Sequence, residues 1–198
     1  GPASGAFELE LPVPGLHNAR NAASAAAMAI TAGAAPEAAA SALARFGGVA
    51  RRFEHRGQVA GIVLVDDYAH LPTEVGAVLA TARSGGFNRV VAVFQPHRFS
   101  RTEALWSSFG CSFDDADVLY VTDVYPSGEA PRPGVSGRLV ADAVLRDRPG
   151  ADVRYVARRE DLLDALSGEL RDGDLCLTMG AGDLTAVPDQ LRARLGAF

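Results

Sequence analysis

The stretch "GIVLVDDYAHLPTEVGAVLATARSGGFNRVVAVF", residues 61–94, decides the fold. It opens with an apolar run at 61–66, continues through a proline-started helical segment at 72–83, and closes with a second apolar run at 89–94. Short runs that are apolar on both faces and flank a helix are typical of βαβ units, whose parallel strands are covered on both sides. The stretch therefore predicts a doubly wound α/β domain.

The same alternation continues to the end of the chain. Further strands are predicted at 117–122, 152–156 and 174–179, and further helices at 101–113, 135–147, 159–170 and 183–195. Together with the first unit they predict a mostly parallel sheet with helices on both faces. Ligands of such sheets bind beyond the carboxyl ends of the strands, so the residues that follow each apolar run are the first candidates for a site.

The first fifty residues follow a different pattern. "FELEL", Phe7–Leu11, alternates apolar and polar residues as a half-buried strand does, and alanine-rich helices are predicted at 18–33 and 36–45. Two short helices with alanine faces bury little area, so this strand-helix-helix segment indicates the tail of a larger domain. We expect a boundary that leaves residues 1–49 in that tail and residues 50–198 in the α/β domain.

Composition excludes several classes of function. The 198 residues carry a net charge of -5, with basic residues scattered among acidic ones, so a nucleic-acid partner is not expected. No apolar run approaches the roughly 20 residues that a membrane span needs, and we expect a cytoplasmic protein. All 19 basic residues are arginine. Without lysine the chain contains no G-x-x-x-x-G-K-[ST] phosphate loop and no standard ATP cradle.

Basic residues gather after the second strand, in "QPHRFSRT", residues 95–102. Pro96 ends the strand and is followed by His97, Arg98 and Arg101, with the two arginines at i and i+3 on a predicted helix. Two guanidiniums and an imidazole at a helix start suit a carboxylate or a phosphate. The alternative is an ordinary solvated basic turn, but positive charge at a helix start opposes the helix dipole, so stability does not explain the cluster.

Acidic residues follow the first strand. Asp66 and Asp67 could form a metal pair, accept a hydrogen bond from a ribose or another hydroxyl, or serve as a turn and N-cap for the helix after Pro72. His70 alone is more often a hydrogen-bonded structural histidine than a catalyst. "GAGD", residues 180–183, is a weak cofactor motif, since it lacks the third glycine of the dinucleotide fingerprint, but it predicts a tight strand-to-helix turn.

The start of the first helix, "GLHNARNAA", places His17, Asn18 and Asn21 together. Asn18 could be the N-cap of that helix. Alternatively, the two carboxamides at i and i+3 could hold the edge of a purine by paired donor and acceptor bonds.

Six motifs in order resemble the Mur ligase family: "GLHNARNAASAAA", "RRFE", "VDDYAHLPTEV", "FQPHRFSRT", "DVYPSGE" and "MGAGD". The resemblance runs from about Phe7 to the end. It implies a Rossmann-like C-terminal domain preceded by the remnant of a central ATP-binding domain. The implied activity is an ATP- and Mg²⁺-dependent ligation of L-alanine to UDP-N-acetylmuramate through an acyl phosphate in peptidoglycan synthesis. The implied chain is a fragment that is inactive alone.

The resemblance also implies roles for individual residues. On the nucleotide side, adenine is faced by His17, Asn18 and Asn21, and the ribose and phosphates are approached by Arg52 and Asp67. The site for L-alanine and the muramyl product is lined by Tyr68, His70, His97, Arg98 and Arg101. Among these, Arg101 binds the carboxylate of L-alanine. No metal ligand and no certain catalytic residue is implied within this chain.

One position departs from the family pattern. The family commonly has a second histidine after His70, where this chain has Leu71. Any role of that second imidazole is therefore absent here, and we expect Leu71 to pack against the helix that follows.

Two further hypotheses remain. One is a free-standing module that binds a carboxylated or phosphorylated metabolite through the arginine cluster. The other is a related ligase of cell-wall recycling, which attaches a tripeptide instead of alanine and whose motif at the second strand end differs from "FQPHRFSRT".

Overall fold

The computed structural model describes residues 6–196, and the chain divides into two compact units between Ala50 and Arg51. The first unit contains helices α1, Leu16–Thr31, and α2, Pro36–Ala44. Residues 6–15 form no strand, so the strand predicted at Phe7–Leu11 is wrong. An alternating pattern becomes a strand only beside another strand that completes its hydrogen bonds, and the described part of this unit contains none.

The second unit is a six-stranded sheet covered by helices. Its strands are β1, Glu54–Val59; β2, Ile62–Asp67; β3, Arg89–Phe94; β4, Val118–Val121; β5, Asp152–Tyr155; and β6, Asp174–Met179. Its helices are α3, Pro72–Arg83; α4, Phe99–Leu105; α5, Arg138–Asp147; α6, Arg159–Glu169; and α7, Val187–Leu195. The strand order is β1-β2-β6-β3-β4-β5, and every neighbouring pair except β1 and β2 is parallel. The predicted doubly wound, mostly parallel sheet is confirmed.

The hydrophobic core lies on both faces of the sheet. Along β3, Val90, Ala92 and Phe94 face a cluster that includes residues of α3 and α5, while Val91 and Val93 face a cluster that includes residues of α6 and α7. Successive side chains of a strand point to opposite faces, so an unbroken apolar run supplies both layers at once. Helices therefore pack on both faces of the central strands, and this packing holds the strand ends in fixed positions.

The edge strand β1 was not predicted. Its sequence, "EHRGQV", contains one apolar residue, because the strand lies at the sheet edge and its residues are only half buried or exposed. It pairs with β2 through a hairpin at Ala60 and Gly61, both with positive φ. The φ of 75° at Gly61 favours glycine, and a Cβ there would lie 1.7 Å from Oδ1 of Asp172 and would displace that side chain. Polar edge strands lack the apolar run by which the other five were recognised.

No helix among residues 6–196 is both long enough and apolar enough to cross a membrane.

Candidate functional site

Four rings form a continuous row across the carboxyl ends of β2, β3 and β4. Tyr68 and His70 follow β2, and their ring centroids are 5.5 Å apart. His97 follows β3, with its ring centroid 5.8 Å from that of His70 and 5.7 Å from that of Tyr125, on which it stacks at 13°. The structure thus brings together three residues predicted for the substrate site. It adds Tyr125, which the sequence signalled only as part of "DVYPSGE".

Arg101 contacts this row through His97. Its Nη1 lies 3.2 Å from Nδ1 of His97. Burial lowers the pKa of His97 below 6.5, and the charges of Arg101, His70 and Arg98 lower it further, while Glu129 opposes them. Because a guanidinium only donates, Nδ1 is the acceptor and the ring proton belongs on Nε2. At neutral pH the imidazole of His97 is therefore neutral, and its Nδ1 orients the guanidinium of Arg101.

The titration of His97 gives a prediction that needs no ligand. The pKa of His97 should lie below 6.5, and Arg101→Ala should raise it, because the largest charge contribution that lowers it is removed. Since the unfolded chain takes up this proton first, wild-type stability should fall as the pH drops below 6.5 toward the folded pKa. NMR titration of the histidine ring protons measures the shift. An unchanged pKa in Arg101→Ala would exclude the contact.

Three arginines at this edge have no carboxylate partner within the described part of the chain: Arg52, Arg98 and Arg101. The Cζ atom of Arg52 lies 5.6 Å from the centre of the Tyr68 ring. Unpaired guanidiniums beside a neutral imidazole favour an anion. The arrangement can hold a carboxylate or a phosphate oxygen, and the anion site stays a prediction.

The arrangement of Arg98 and Arg101 differs from the prediction. Helix α4 begins at Phe99, and Arg98 precedes it with a φ of 71°. The two arginines are therefore not neighbours on one helical face, and α4 ends at Leu105 instead of reaching residue 113. The backbone N–H of Arg98 donates to the carbonyl of Tyr125, 2.8 Å away, which fixes this left-handed turn. The backbone bonds, more than helical periodicity, set the direction of Arg98.

Glu129 supports the beginning of α4. Its carboxylate accepts hydrogen bonds from the backbone N–H and the hydroxyl of Ser100, at 2.9 Å and 2.6 Å. These bonds hold the pKa of Glu129 below its usual value. The acid in "DVYPSGE" thus connects the loop after β4 to the residue before Arg101. Sequence reasoning noted the motif but did not assign Glu129.

Asp66 and Asp67 have different partners. Asp66 accepts from Nε of Arg51 at 3.0 Å and from the hydroxyls of Thr178 and Thr185, each at 2.7 Å. Asp67 accepts from the backbone N–H groups of Phe53 and Ala69, each at 2.7 Å. Burial raises the pKa of Asp67, although both backbone bonds oppose that shift. Asp66 ties the strand ends together, while Asp67 closes a turn.

The N-cap alternative for this acidic pair is wrong. The N-cap of α3 is Leu71, and the first-turn acceptor is Glu74, which receives the N–H groups of His70 and Leu71 at 3.0 Å and 3.2 Å. Neither aspartate caps the helix. Among residues 6–196, no three histidine, cysteine, aspartate or glutamate side chains are grouped as metal ligands would be.

His70 is held by its own loop. Its Nδ1 lies 3.0 Å from the carbonyl of Tyr68 and 3.5 Å from Oε2 of Glu74. A neutral His70 therefore donates from Nδ1 to the carbonyl and leaves Nε2 as an acceptor. The half-buried Leu71 takes its place at the helix start through its backbone, without a second imidazole.

The turn after β6 closes against the same strand ends. A Cβ at Gly182 would lie 2.5 Å from the ring of Tyr125 and 2.6 Å from Oε1 of Gln95, so this position requires glycine. Gln95 donates from Nε2 to Asp183 at 2.9 Å. Beside the turn lies a cavity of about 290 Å³, lined partly by Gln95, Tyr125 and Asp183. "GAGD" is thus a tight strand-to-helix turn, as predicted.

The three remaining candidates lie in the first unit, on α1. The N-cap of α1 is Gly15, so the N-cap alternative for Asn18 is wrong. Asn18 instead donates from Nδ2 to the carbonyl of Pro14 at 2.6 Å, which leaves its carbonyl oxygen open. His17 is half buried and Asn21 is exposed. Their polar groups are available to a ligand of this helix.

Comparison with known proteins agrees with these observations. The family model "Mur ligase, glutamate ligase domain" matches residues 51–182. The UDP-N-acetylmuramate--L-alanine ligase of Kineococcus radiotolerans is 51% identical to this chain, over 91% of this chain and 38% of the relative. That of Nitratidesulfovibrio vulgaris is 49% identical, over 91% of this chain and 40% of the relative. This chain therefore spans about 40% of the length of the curated relatives that it matches.

Solved structures give the same result. The UDP-N-acetylmuramate-alanine ligase of Thermotoga maritima is similar with a TM-score of 0.79 and 29% identity, over 97% of this chain and 40% of that one. A murein peptide ligase of Psychrobacter arcticus is similar with a TM-score of 0.73 and 25% identity, over 96% and 39%. With the family model matched across most of the α/β unit, the chain belongs to the Mur ligase family.

Proposed function

We propose that this chain is the C-terminal part of an ATP-dependent ligase that joins L-alanine to UDP-N-acetylmuramate in peptidoglycan synthesis. Residues 50–198 would be its amino-acid-binding domain, and residues 1–49 the end of its central ATPase domain. The supporting observation is that Arg52, Arg98 and Arg101, which have no carboxylate partner among residues 6–196, lie with a neutral His97 at the strand ends. Relatives with 49% and 51% identity carry the name of this ligase.

The proposed reaction has two steps. The muramyl carboxylate attacks the γ-phosphorus of ATP, which releases ADP and leaves an acyl phosphate. The amine of L-alanine then attacks the acyl carbon, phosphate leaves, and the amine loses a proton as the amide forms. Because an acyl phosphate reacts with water, the acceptor must be held in line and solvent must be excluded. The α/β unit supplies the first of these functions.

The substrate side is assigned to the row of rings. Arg101, oriented by His97, would pair with the carboxylate of L-alanine through two parallel N–H bonds. Arg98 would add positive charge for the muramyl product, with Tyr68 and His70 forming the adjacent wall. Each of these groups binds or orients; none of them has to exchange a proton with the reacting atoms.

The nucleotide contacts are assigned to two groups of residues. His17, Asn18 and Asn21 would contact adenine, while Arg52 would approach the phosphates. Each oxygen of Asp67 accepts one backbone bond and can accept a second, which suits a ribose hydroxyl. The chain contains no lysine and, among residues 6–196, no cluster of metal ligands. Mg²⁺ would accompany the ATP phosphates and neutralise part of their charge.

A related ligase of cell-wall recycling is the second candidate. It is favoured less, because the murein peptide ligase of Psychrobacter arcticus is 25% identical, against 51% for the L-alanine ligase of Kineococcus radiotolerans. The free-standing binding module is also favoured less, since the chain spans only about 40% of its curated relatives.

A substrate comparison tests the proposal. The ligase that contains this chain should release ADP with L-alanine and UDP-N-acetylmuramate, and should show little turnover with a tripeptide in place of L-alanine. The chain alone should neither turn over nor bind Mg-ATP tightly in isothermal titration. Preference for the tripeptide would reverse the assignment, and turnover by the chain alone would contradict its role as one part of the ligase.

A further inference from the structure

Arg51 connects three segments that carry the candidate site. Its Nε donates to Asp66 at the end of β2, 3.0 Å away, and its Nη2 donates to the carbonyl of Gly180 after β6, 2.6 Å away. Its own carbonyl accepts the N–H of Tyr68 at 2.7 Å. A single side chain and its backbone thus join the segment before β1 to the ends of the two neighbouring strands β2 and β6.

The environment of Arg51 suits a fixed, single conformation. Its side chain is 23% exposed, and the side chain of its partner Asp66 is 1% exposed. Its Cζ lies 5.0 Å from the centre of the Tyr68 ring. Its φ of 59° lies in the left-handed region, which a residue with a side chain adopts at a cost of about 1–3 kcal/mol unless its surroundings enforce it. The bonds to Asp66 and Gly180 provide that enforcement.

The residues beside Arg51 are those proposed to contact the nucleotide. Arg52 follows it directly, and the N–H of Phe53 donates to Asp67. The carbonyl of Asp67 in turn accepts the N–H of Gly180 at 3.1 Å. Any displacement of Arg51 would therefore move Arg52 and loosen the turn that contains Asp67.

We propose that Arg51 is a positioning residue: it holds Arg52 and the turn that contains Asp67 in the geometry that the nucleotide side of the site requires. The identity of the ligand, ATP, rests on the proposed function. The contacts that hold the loop do not depend on it. Lysine cannot replace Arg51 fully. A guanidinium donates to a carboxylate and to a carbonyl at the same time along a planar fork, whereas an ammonium is a compact point charge.

Hydrogen exchange in the chain itself tests the geometry without any substrate. In Arg51→Ala, the amides of Phe53, Tyr68 and Gly180 should exchange at least about tenfold faster than the loss of global stability explains. Arg51→Lys, which keeps one charged contact, should show a smaller change and guards against a variant that does not fold.

The matched control is Arg89→Ala. Arg89 is 18% exposed and pairs with Asp174, which is 1% exposed, at the other end of the strands. Arg89→Ala should lower the free energy of unfolding by about as much as Arg51→Ala. The amides of Phe53, Tyr68 and Gly180 should nevertheless exchange only at the rate that global unfolding explains. Unchanged relative protection in Arg51→Ala, or equal local effects in both variants, would overturn the proposal.

Kinetics of the ligase then test the link to the nucleotide. Arg51→Ala should raise the KM for ATP roughly 10- to 100-fold, since small misplacements of positioning groups have effects of that size. The KM for the amino acid should change by less than about twofold, and Arg51→Lys should restore part of the loss. An unchanged KM for ATP would overturn the nucleotide role. If the wild-type ligase made no product from L-alanine, the proposed function would fail, while the exchange measurement would still decide whether Arg51 holds the loop.

Discussion

Arg101→Ala in the ligase is expected to raise the KM for L-alanine by about 10- to 100-fold with little change in kcat. Charge-assisted hydrogen bonds to a carboxylate contribute about 1.5–3 kcal/mol, and an interaction made equally in the ground and transition states changes KM alone. The structure supports the role in two ways. Arg101 has no carboxylate partner within the described residues, and its guanidinium is oriented by Nδ1 of His97 at 3.2 Å.

Two variants make this experiment specific. Arg101→Lys keeps the charge but loses the planar fork, so it should recover only part of the affinity. Arg138→Ala removes an arginine that is 64% exposed and paired with Asp142 on α5, and it should leave the KM unchanged. A KM for L-alanine that is the same in Arg101→Ala and in the wild type would exclude Arg101 from the carboxylate site.

Much of this site follows from the sequence through one rule about topology. Parallel strands present their carboxyl ends at one edge, so the residues after β2 and β3 had to come close together even though they are far apart in the chain. The contacts between His70 and His97 and between His97 and Arg101 are the result. What the rule does not provide is the backbone direction at each strand end, which explains the wrong placement of Arg98 on a helical face.

Sequence reasoning missed residues whose contacts join segments far apart in the chain. The periodic patterns that predict helices and strands contain no information about such contacts. Arg51 and Arg52 are adjacent and chemically identical, and only the left-handed backbone at Arg51 turns one toward Asp66 and Gly180. Tyr125 and Glu129 matter because the loop after β4 returns to His97 and to Ser100. Long-range loop contacts of this kind depend on the packed sheet, so a linear pattern cannot assign them.

Asp66 and Asp67, at the end of β2, provide the second large expected effect, because substitution of one should mainly affect stability and substitution of the other should mainly affect ATP binding. Asp66→Asn should lower the free energy of unfolding by about 3 kcal/mol, since the substitution leaves the guanidinium of Arg51 without its negative partner and can place an amide NH₂ group against donors. Asp67→Asn should lower it less, by about 1–2 kcal/mol, because one backbone N–H loses its acceptor while the amide oxygen keeps the other bond and a desolvated charge is removed. Urea denaturation at pH 7 measures both differences.

The pH dependence of Asp67 gives an independent readout of the same difference. Burial raises the pKa of Asp67 in the folded chain above 3.8. As the pH rises from 3.8 to the folded pKa, Asp67 ionises first in the unfolded chain. The contribution of Asp67 to stability therefore falls until the folded pKa is passed. Asp67→Asn should remove this decline between the two pKa values. Asp142→Asn, at an exposed ion pair on α5, should change stability by less than about 0.5 kcal/mol and leave the decline in place.

The effects on the ligase should be the reverse of the effects on stability. Asp67→Asn should raise the KM for ATP about tenfold or more, because one of the oxygens available to the ribose becomes a donor. Asp66→Asn, assayed well below its unfolding temperature, should change the KM for ATP only as far as it releases Arg51, and so no more strongly than Arg51→Ala. Equal losses of stability in Asp66→Asn and Asp67→Asn would contradict this division of roles. So would a KM for ATP that Asp67→Asn leaves unchanged.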